Sequence, residues 1–240
     1  MDGAAPLWPA LLFAGGAGLA MPLGALVALV ERIDDPLIAL QWRHGVVAFG
    51  GGALLSAVAL VLVPDGAEAL PAALAVLFLL FGGLICFAVD RWVEENGGAG
   101  AQLMAMLLDY LPEAAALGAL FAVDFGTAIL LAGLIFLQNL PEGYAAFNEI
   151  EEARQQPPRR VVALFAALAA VGPGAAALGL FVLADLPGVL GAIMLTAAGG
   201  ILYLVFQDIA PQVRTPGHWL PPLGAVAGFA LGLGGHLLIA

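Results

Sequence analysis

Positive charge is scarce in this chain of 240 residues. It contains no lysine and only seven arginines, against 18 acidic residues, so the formal net charge is −11. So acidic a balance excludes a nucleic-acid-binding surface, which needs clustered lysine and arginine. The single cysteine, Cys86, excludes a disulfide within the chain. Charged residues of both signs make up only 10%, whereas a soluble domain averages about 25%.

Apolar residues fill the space that charge leaves. They make up 62% of the chain, and the mean hydropathy is +1.03. Runs of about 20 apolar residues are long enough to cross a membrane, and in lipid they must be helical to satisfy their backbone groups. The sequence predicts an all-α polytopic membrane protein, a single transmembrane domain over 1–240. Its eight predicted spans are 7–30, 45–63, 70–90, 102–123, 126–148, 161–184, 188–209 and 219–239.

The segments between and before the spans are short. The longest, 148–160, mixes acids, arginines and prolines and is predicted to be a solvated loop. The first residues, MDGAAPLWPA, lack the basic region of a signal peptide. Residues 7–30 are therefore expected to be a retained span.

The arginines occur only after odd-numbered apolar stretches. This alternation predicts that they face the cytoplasm and both termini lie outside, in a multi-pass protein of the inner or plasma membrane. The outer segments then hold only acids, which either gather cations or remain because basic residues are depleted there. The arginines are Arg32, Arg43, Arg91, Arg154, Arg159, Arg160 and Arg214, and the outer acids are Asp2, Asp65, Glu68, Asp124 and Asp185.

Three carboxylates, Asp109, Glu113 and Glu142, fall inside predicted spans. A charge at mid-membrane costs on the order of 3 kcal/mol, so such residues usually mark a functional site. They belong to a repeat, L-D-Y-L-P-E-A at 108–114 and L-Q-N-L-P-E-G at 137–143. Positions i and i+4 share a helix face, so Asp109 joins Glu113, and Gln138 joins Glu142. The interpretation left open beside a cation site is a set of protonated acids bonded to neighbouring helices.

Each repeat also contains a proline. Pro112 and Pro141 have no N–H to donate to the carbonyls of Leu108 and Leu137. The prolines are expected to kink both helices and to expose these carbonyls at the depth of the carboxylates. The result would be an oxygen-lined cation site between spans 4 and 5.

At these residues the chain resembles the zinc/iron permease family of metal transporters, usually called ZIP. That family carries H-N-x-P-E-G in span 4 and a related motif in span 5. The sequence FGGGALLSAVALVLVPD in span 2 and AAGGILYLVFQDIAPQ in span 7 are similar to the family's corresponding spans. The resemblance implies eight spans with both termini outside, inverted-repeat character, and transport of a divalent metal into the cytoplasm.

The chain departs from the family at defined positions. Asp109 and Gln138 replace the two signature histidines, Tyr110 replaces an asparagine, and Gly172 stands where a glutamate often precedes proline. By resemblance, Glu113 and Glu142 match bridging glutamates, and Asn139 matches a ligand of an adjacent second metal site that Tyr110 depletes. Gln207 and Asp208 match an exit site. The metal ligands predicted in this way are Asp109, Glu113, Gln138, Asn139 and Glu142.

The chemistry of these ligands bears on the cargo. Zinc favours imidazole and thiolate, whereas oxygen-only sites suit manganese, magnesium and calcium. The family's usual cargo puts zinc or a related metal such as manganese, iron or cadmium first, with manganese raised in rank. We expect a transporter rather than an enzyme, with no cofactor, whose partners are divalent metal ions and the lipid bilayer. A homodimer, a non-transporting metal sensor, and a binder of protons or organic ions remain open.

Labelling of single cysteines tests the predicted topology. In a Cys86→Ser background, cysteines placed at positions 43, 91, 160 and 214 should react with impermeant reagent from the cytoplasmic side only. Cysteines at positions 65, 124 and 185 should react from the outer side only, because the arginine distribution places them there. Labelling of positions 65 and 160 from the same side would contradict the eight-span topology.

Overall fold

The computed structural model describes residues 6–95, 101–152, 156–213 and 219–239, and within these ranges the regular structure is helical, with no strand. Eight of its helices are long and apolar enough to cross a membrane. This confirms the expected all-α bundle of eight apolar helices. They are α1 Leu7–Val30, α2 Pro36–Glu68, α3 Ala72–Glu95, α4 Ala101–Val123, α5 Phe125–Glu152, α6 Pro158–Leu183, α7 Pro187–Val213 and α8 Pro221–Ile239.

Helix α2 begins nine residues before the predicted span. The side chain of Asp35 accepts hydrogen bonds from the backbone N–H groups of Leu37 and Ile38, at 2.8 and 3.2 Å. Pro36 occupies the first helical position, where its missing N–H costs nothing. Arg43, which was expected between the first two spans, therefore lies inside helix α2, in the part before the predicted span. Hydropathy detects the part of a helix that sits in hydrocarbon, and a capped helix continues beyond it.

The predicted loop at 148–160 is also mostly wrong. Helix α5 continues to Glu152 and α6 begins at Pro158. The polar residues at these ends do not disturb a helix that has left the hydrocarbon. Three charged positions used in the topology prediction, Asp2, Arg154 and Arg214, lie outside the described residues.

Three of the long helices contain a π turn: α2 at Val58–Leu62, α6 at Gly179–Leu183 and α7 at Val205–Ile209. In α2 and α7 a proline, Pro64 or Pro211, follows two residues after the turn. Because proline has no N–H to donate, the hydrogen-bond ladder is already interrupted there, and the wider turn falls beside the interruption.

Glycines hold the helices in four close pairs. In each pair, each helix contributes at least one glycine whose missing Cβ makes room for a carbonyl oxygen of the other helix. A Cβ on Gly118 of α4 would collide with the carbonyl of Ala176 on α6, and one on Gly179 with that of Ala115. Small residues allow membrane helices to approach in this way. The glycines are Gly24 and Gly143 between α1 and α5, Gly52 and Gly228 between α2 and α8, Gly82 and Gly199 between α3 and α7, and Gly118 and Gly179 between α4 and α6.

The pairs surround a centre made by the helices that carry the repeated motif. Helix α5 packs on α1, α2 and α4, and α4 packs on α6 and α7. Helices α2 and α4 are the most buried, and α3 and α8 the most exposed. The residues of 108–114 and 137–143 therefore lie in the interior of the bundle.

Replacing glycines with alanine should show whether stability depends on the close approach of helices or only on the helix propensity of each position. Gly118→Ala should lower the free energy of unfolding in detergent by about 1–3 kcal/mol, since the added methyl forces the α4 and α6 backbones apart. Gly133→Ala in α5 is the matched control, because nothing lies within 4 Å of its Cβ position. The control should be neutral or stabilising by up to about 1 kcal/mol. Equal losses in both variants would show that the pairing does not depend on the glycines.

Candidate metal centre

Both repeated motifs lie within continuous α-helix. Helix α4 runs through Pro112 and helix α5 runs through Pro141 without an interruption of helical conformation. The backbone therefore remains helical at both prolines. The prolines still withhold an N–H from the carbonyls of Leu108 and Leu137.

One hydrogen bond joins the two motifs. The Nε2 atom of Gln138 on α5 donates to the Oε2 atom of Glu113 on α4, at 2.5 Å. Both side chains are fully buried. The predicted proximity of these two positions is therefore observed, with Gln138 acting as donor through its nitrogen.

Four buried oxygen atoms of the predicted site lack a hydrogen-bond partner. They belong to Asp109, Glu113, Gln138 and Asn139, and the most accessible of these residues, Asp109, is only 6% exposed. Unsatisfied buried polar atoms are rare, and each calls for an explanation such as an ion or a water. The atoms are Asp109 Oδ1, Glu113 Oε1, Gln138 Oε1 and Asn139 Oδ1.

Asn139 is oriented differently from its neighbour Gln138. Its Nδ2 atom donates to the carbonyl oxygen of Ala17 on α1, at 3.0 Å. Consecutive residues on a helix point about 100° apart, so only Gln138 faces Glu113. The amide of Asn139 is thereby fixed against α1.

A cavity of about 80 Å³ connects the remaining predicted residues. Asp109, Glu142 and Asp208 all line it, together with apolar side chains of α2, α4 and α7. Glu142 is partly exposed there. Gln207 is also exposed, but it is not among the described residues that line this cavity. The structure therefore brings Asp208 toward the motif and leaves Gln207 apart.

The carboxylates do not by themselves complete a metal site. Within the described ranges, no group of three or more histidine, cysteine, aspartate or glutamate side chains is arranged to hold a metal ion. An ion among the motif residues would therefore need amide or backbone oxygens as well, or a shift of the helices. Oxygen donors of this kind suit hard divalent cations.

Tyr110 and Gly172, which look like independent departures in the sequence, are partners in the structure. The Tyr110 hydroxyl donates to the carbonyl of Ala14 on α1, at 2.7 Å, and lies 3.5 Å from the carbonyl of Ala169 on α6. A Cβ on Gly172 or on Gly18 would collide with the phenol. The ring thus fills the space between α1, α4 and α6 that side chains at positions 18 and 172 would need.

Two further polar pairs escaped the sequence reasoning. The Tyr144 hydroxyl donates to Glu31, whose other oxygen lies 3.9 Å from Nε of Arg43. The Tyr203 hydroxyl donates to Asp90 at 2.8 Å. These contacts tie α5 to α1 and α7 to α3. The only local sign of the first is that Tyr144 follows the P-E-G motif directly.

Asp124 has a structural role between α4 and α5. Its carboxylate accepts hydrogen bonds from the Thr127 hydroxyl at 2.7 Å and from the N–H groups of Thr127 and Gly126 at 3.3 and 2.9 Å. The hydrogen bonds from Thr127 hold the pKa of Asp124 below its ordinary value. This residue therefore caps α5 as a carboxylate.

Neither a scan against protein-family models nor a comparison with curated proteins gives a match to this sequence. The site must be interpreted from its own geometry. It has more buried acceptors than donors, so it can take up a cation or protons.

The contact between Tyr110 and Gly172 can be measured as a coupling energy. Gly172→Ala alone should reduce the free energy of unfolding by about 1–3 kcal/mol, because the methyl collides with the phenol. In a Tyr110→Ala background the same change should cost close to nothing. A double-mutant cycle from thermal or denaturant unfolding in detergent gives the coupling. A Gly172→Ala cost that persists without Tyr110 would mean that the ring does not occupy that space.

Proposed function

We propose that this protein is a ZIP-like carrier that moves a divalent metal cation across the membrane through a site between α4 and α5. The observation that carries the proposal is the group of four buried, unpartnered oxygen atoms on Asp109, Glu113, Gln138 and Asn139. An unsatisfied buried polar group costs about 1–3 kcal/mol. A cation that coordinates several of these atoms offsets the cost, and the low dielectric of the membrane interior strengthens its attraction to the carboxylates.

The arrangement of the helices supports a transport route. The small cavity shared by Asp109, Glu142 and Asp208 places three carboxylates among apolar side chains, between the motif and the end of α7. If the arginines face the cytoplasm and both termini lie outside, a route through this cavity leads inward.

The helix pairs support an inverted repeat. An inverted repeat would match α1, α2, α3 and α4 with α6, α7, α8 and α5, in that order. Under this matching the α2–α8 pair corresponds to α7–α3, and the α1–α5 pair corresponds to α6–α4. These four are the close helix pairs held by glycines, the glycine-locked pairs. Helices α2 and α7 also share a π turn followed by a proline. Binding near the middle of a repeat interface is typical of secondary transporters. The proposed cargo is zinc or a related metal such as manganese, iron or cadmium, in an inner or plasma membrane, with a homodimer left open.

A proton-binding protein is the second candidate function. A proton on Asp109 or Glu113, donated to the amide oxygen of Gln138, would satisfy part of the same set of atoms. The lack of a three-group metal cluster among the described residues favours this candidate. Metal titration distinguishes it from a carrier, and proteoliposome flux distinguishes a carrier from a metal-binding sensor that does not transport.

The binding site should depend on both glutamates. Glu113→Ala and Glu142→Ala should each abolish binding of Mn²⁺, which serves as an oxygen-preferring probe, because each change removes a carboxylate from the site. Asp124→Ala is the matched control: it removes a carboxylate that only caps α5, so Mn²⁺ affinity should be unchanged. Calorimetry on purified, folded protein measures all three. Unchanged Mn²⁺ affinity in both glutamate variants would place the site elsewhere.

Selectivity should follow the donor type. Asp109→His combined with Gln138→His should raise the ratio of Zn²⁺ to Mn²⁺ affinity, because imidazole favours zinc in the Irving–Williams order. The change also removes one negative charge, so the ratio is the quantity to measure. Competition binding above about pH 7, where free imidazole is mostly neutral, provides it. A flat or lower ratio would show that these two positions do not contribute ligands.

A further inference from the structure

A second cavity, of about 350 Å³, lies between α3, α4 and α7. Its walls are mainly apolar side chains such as Phe78, Ile85 and Val189. Among them stand Cys86 and Asp109, beside Leu108 and Pro112 of the repeated motif. Asp109, Ile201 and Leu204 line this cavity and the smaller one near Asp208. The two cavities therefore share a wall at Asp109.

Three different donor groups belong to residues that line this larger cavity. Asp109 is nine-tenths buried, and its Oδ1 atom has no hydrogen-bond partner. The carbonyl of Leu108 lacks the N–H that Pro112 cannot supply. Cys86 is buried as a free thiol, packed so closely on α7 that its Sγ lies 2.7 Å from the Cβ position of Gly200.

We infer that Cys86, Asp109 and the Leu108 carbonyl form a binding site for thiophilic divalent cations such as Cd²⁺ and Zn²⁺. The inference rests on the proposed function because Asp109 belongs to both sites. When the cation binds, the Cys86 S–H bond breaks, the sulfur forms the bond to the metal, and the proton leaves to the solvent. The thiolate is a soft ligand, which manganese and magnesium do not favour.

The apolar walls strengthen this selectivity. A hard ion such as Mg²⁺ keeps several waters, and a cavity with few polar atoms cannot hold a hydrated ion favourably. A thiophilic ion loses less free energy when it sheds its water, because the bond to sulfur replaces a bond to water. An ion bound to Asp109 could then be coordinated by the soft sulfur from one cavity or by the oxygens of the α4–α5 site from the other. Cys86 thereby becomes a specificity-determining residue of the proposed carrier.

The competing explanation is simple packing. A buried cysteine behaves as a small apolar side chain, and Gly200 provides the room for it. Under that explanation the thiol has no contact with any cation.

Cadmium titration of the full-length protein in detergent, with ultraviolet detection of the cadmium–thiolate charge-transfer band, tests the inference. Because the chain has one cysteine, any such band can come only from Cys86. We expect the band in the wild type and its loss in Cys86→Ala. Cd²⁺ affinity should fall at least tenfold in that variant, as even indirect partners of a metal cost about that much, while Mn²⁺ affinity should stay within about twofold.

Glu113→Ala separates this inference from the proposed function. That variant keeps Cys86 and Asp109, so it should retain the cadmium–thiolate band although Mn²⁺ binding is lost. Cd²⁺ binding to the wild type without a band, or equal Cd²⁺ affinity in folded Cys86→Ala, would overturn the thiol site and leave the carrier proposal standing. A band without any Mn²⁺ binding to the wild type would support the thiol site and count against the oxygen site.

Discussion

The interior of a membrane offers no water to a buried oxygen atom, and most of this structure follows from that constraint. Helices satisfy almost every backbone group internally, which is why the apolar stretches are helical throughout. Prolines interrupt the backbone ladder in several helices, but the unpartnered side-chain oxygens gather in one place. The carbonyls released by Pro112 and Pro141 and the four unpartnered side-chain oxygens all lie along the motifs of α4 and α5. A surplus of buried acceptors is a stable arrangement only when a cation, a proton or a water supplies the missing partner.

The glycine-locked helix pairs explain how the unpartnered oxygen atoms are held in position. Each motif helix is fixed to an outer partner through reciprocal backbone contacts, α5 to α1 through Gly24 and Gly143, and α4 to α6 through Gly118 and Gly179. Helices that approach so closely leave little freedom for the side chains between them. Tyr110 uses the space left by Gly172 and Gly18, and Asn139 is anchored to Ala17. Polar groups with fixed neighbours cannot easily rotate to satisfy one another, which preserves them for a ligand.

Asp109 occupies the most consequential position. It lines both the small cavity shared with Glu142 and Asp208 and the larger cavity shared with Cys86. The family that the chain resembles has histidine at this position, whose nitrogen serves zinc well. In the proposed carrier, a carboxylate at this position would serve both the oxygen donors of the motif and the sulfur of Cys86. With donors of both kinds, the metal selectivity would depend on α3 and α7 as well as on the motif of α4.

The sequence by itself determined the eight helices and the buried carboxylate motif. Both depend on local quantities: the length of an apolar run, the cost of a charge within it, and the spacing of residues on one helix face. Only the tertiary structure decided which departures from the resembled motif are connected. Gly172 lies 62 residues from Tyr110, and nothing in the local sequence indicates that one fills the space of the other. The same holds for Cys86 and Asp109, which line one cavity, and for Tyr144 beside Glu31. These contacts join distant segments, so their physical cause, the close packing of particular helices, exists only once the bundle is assembled.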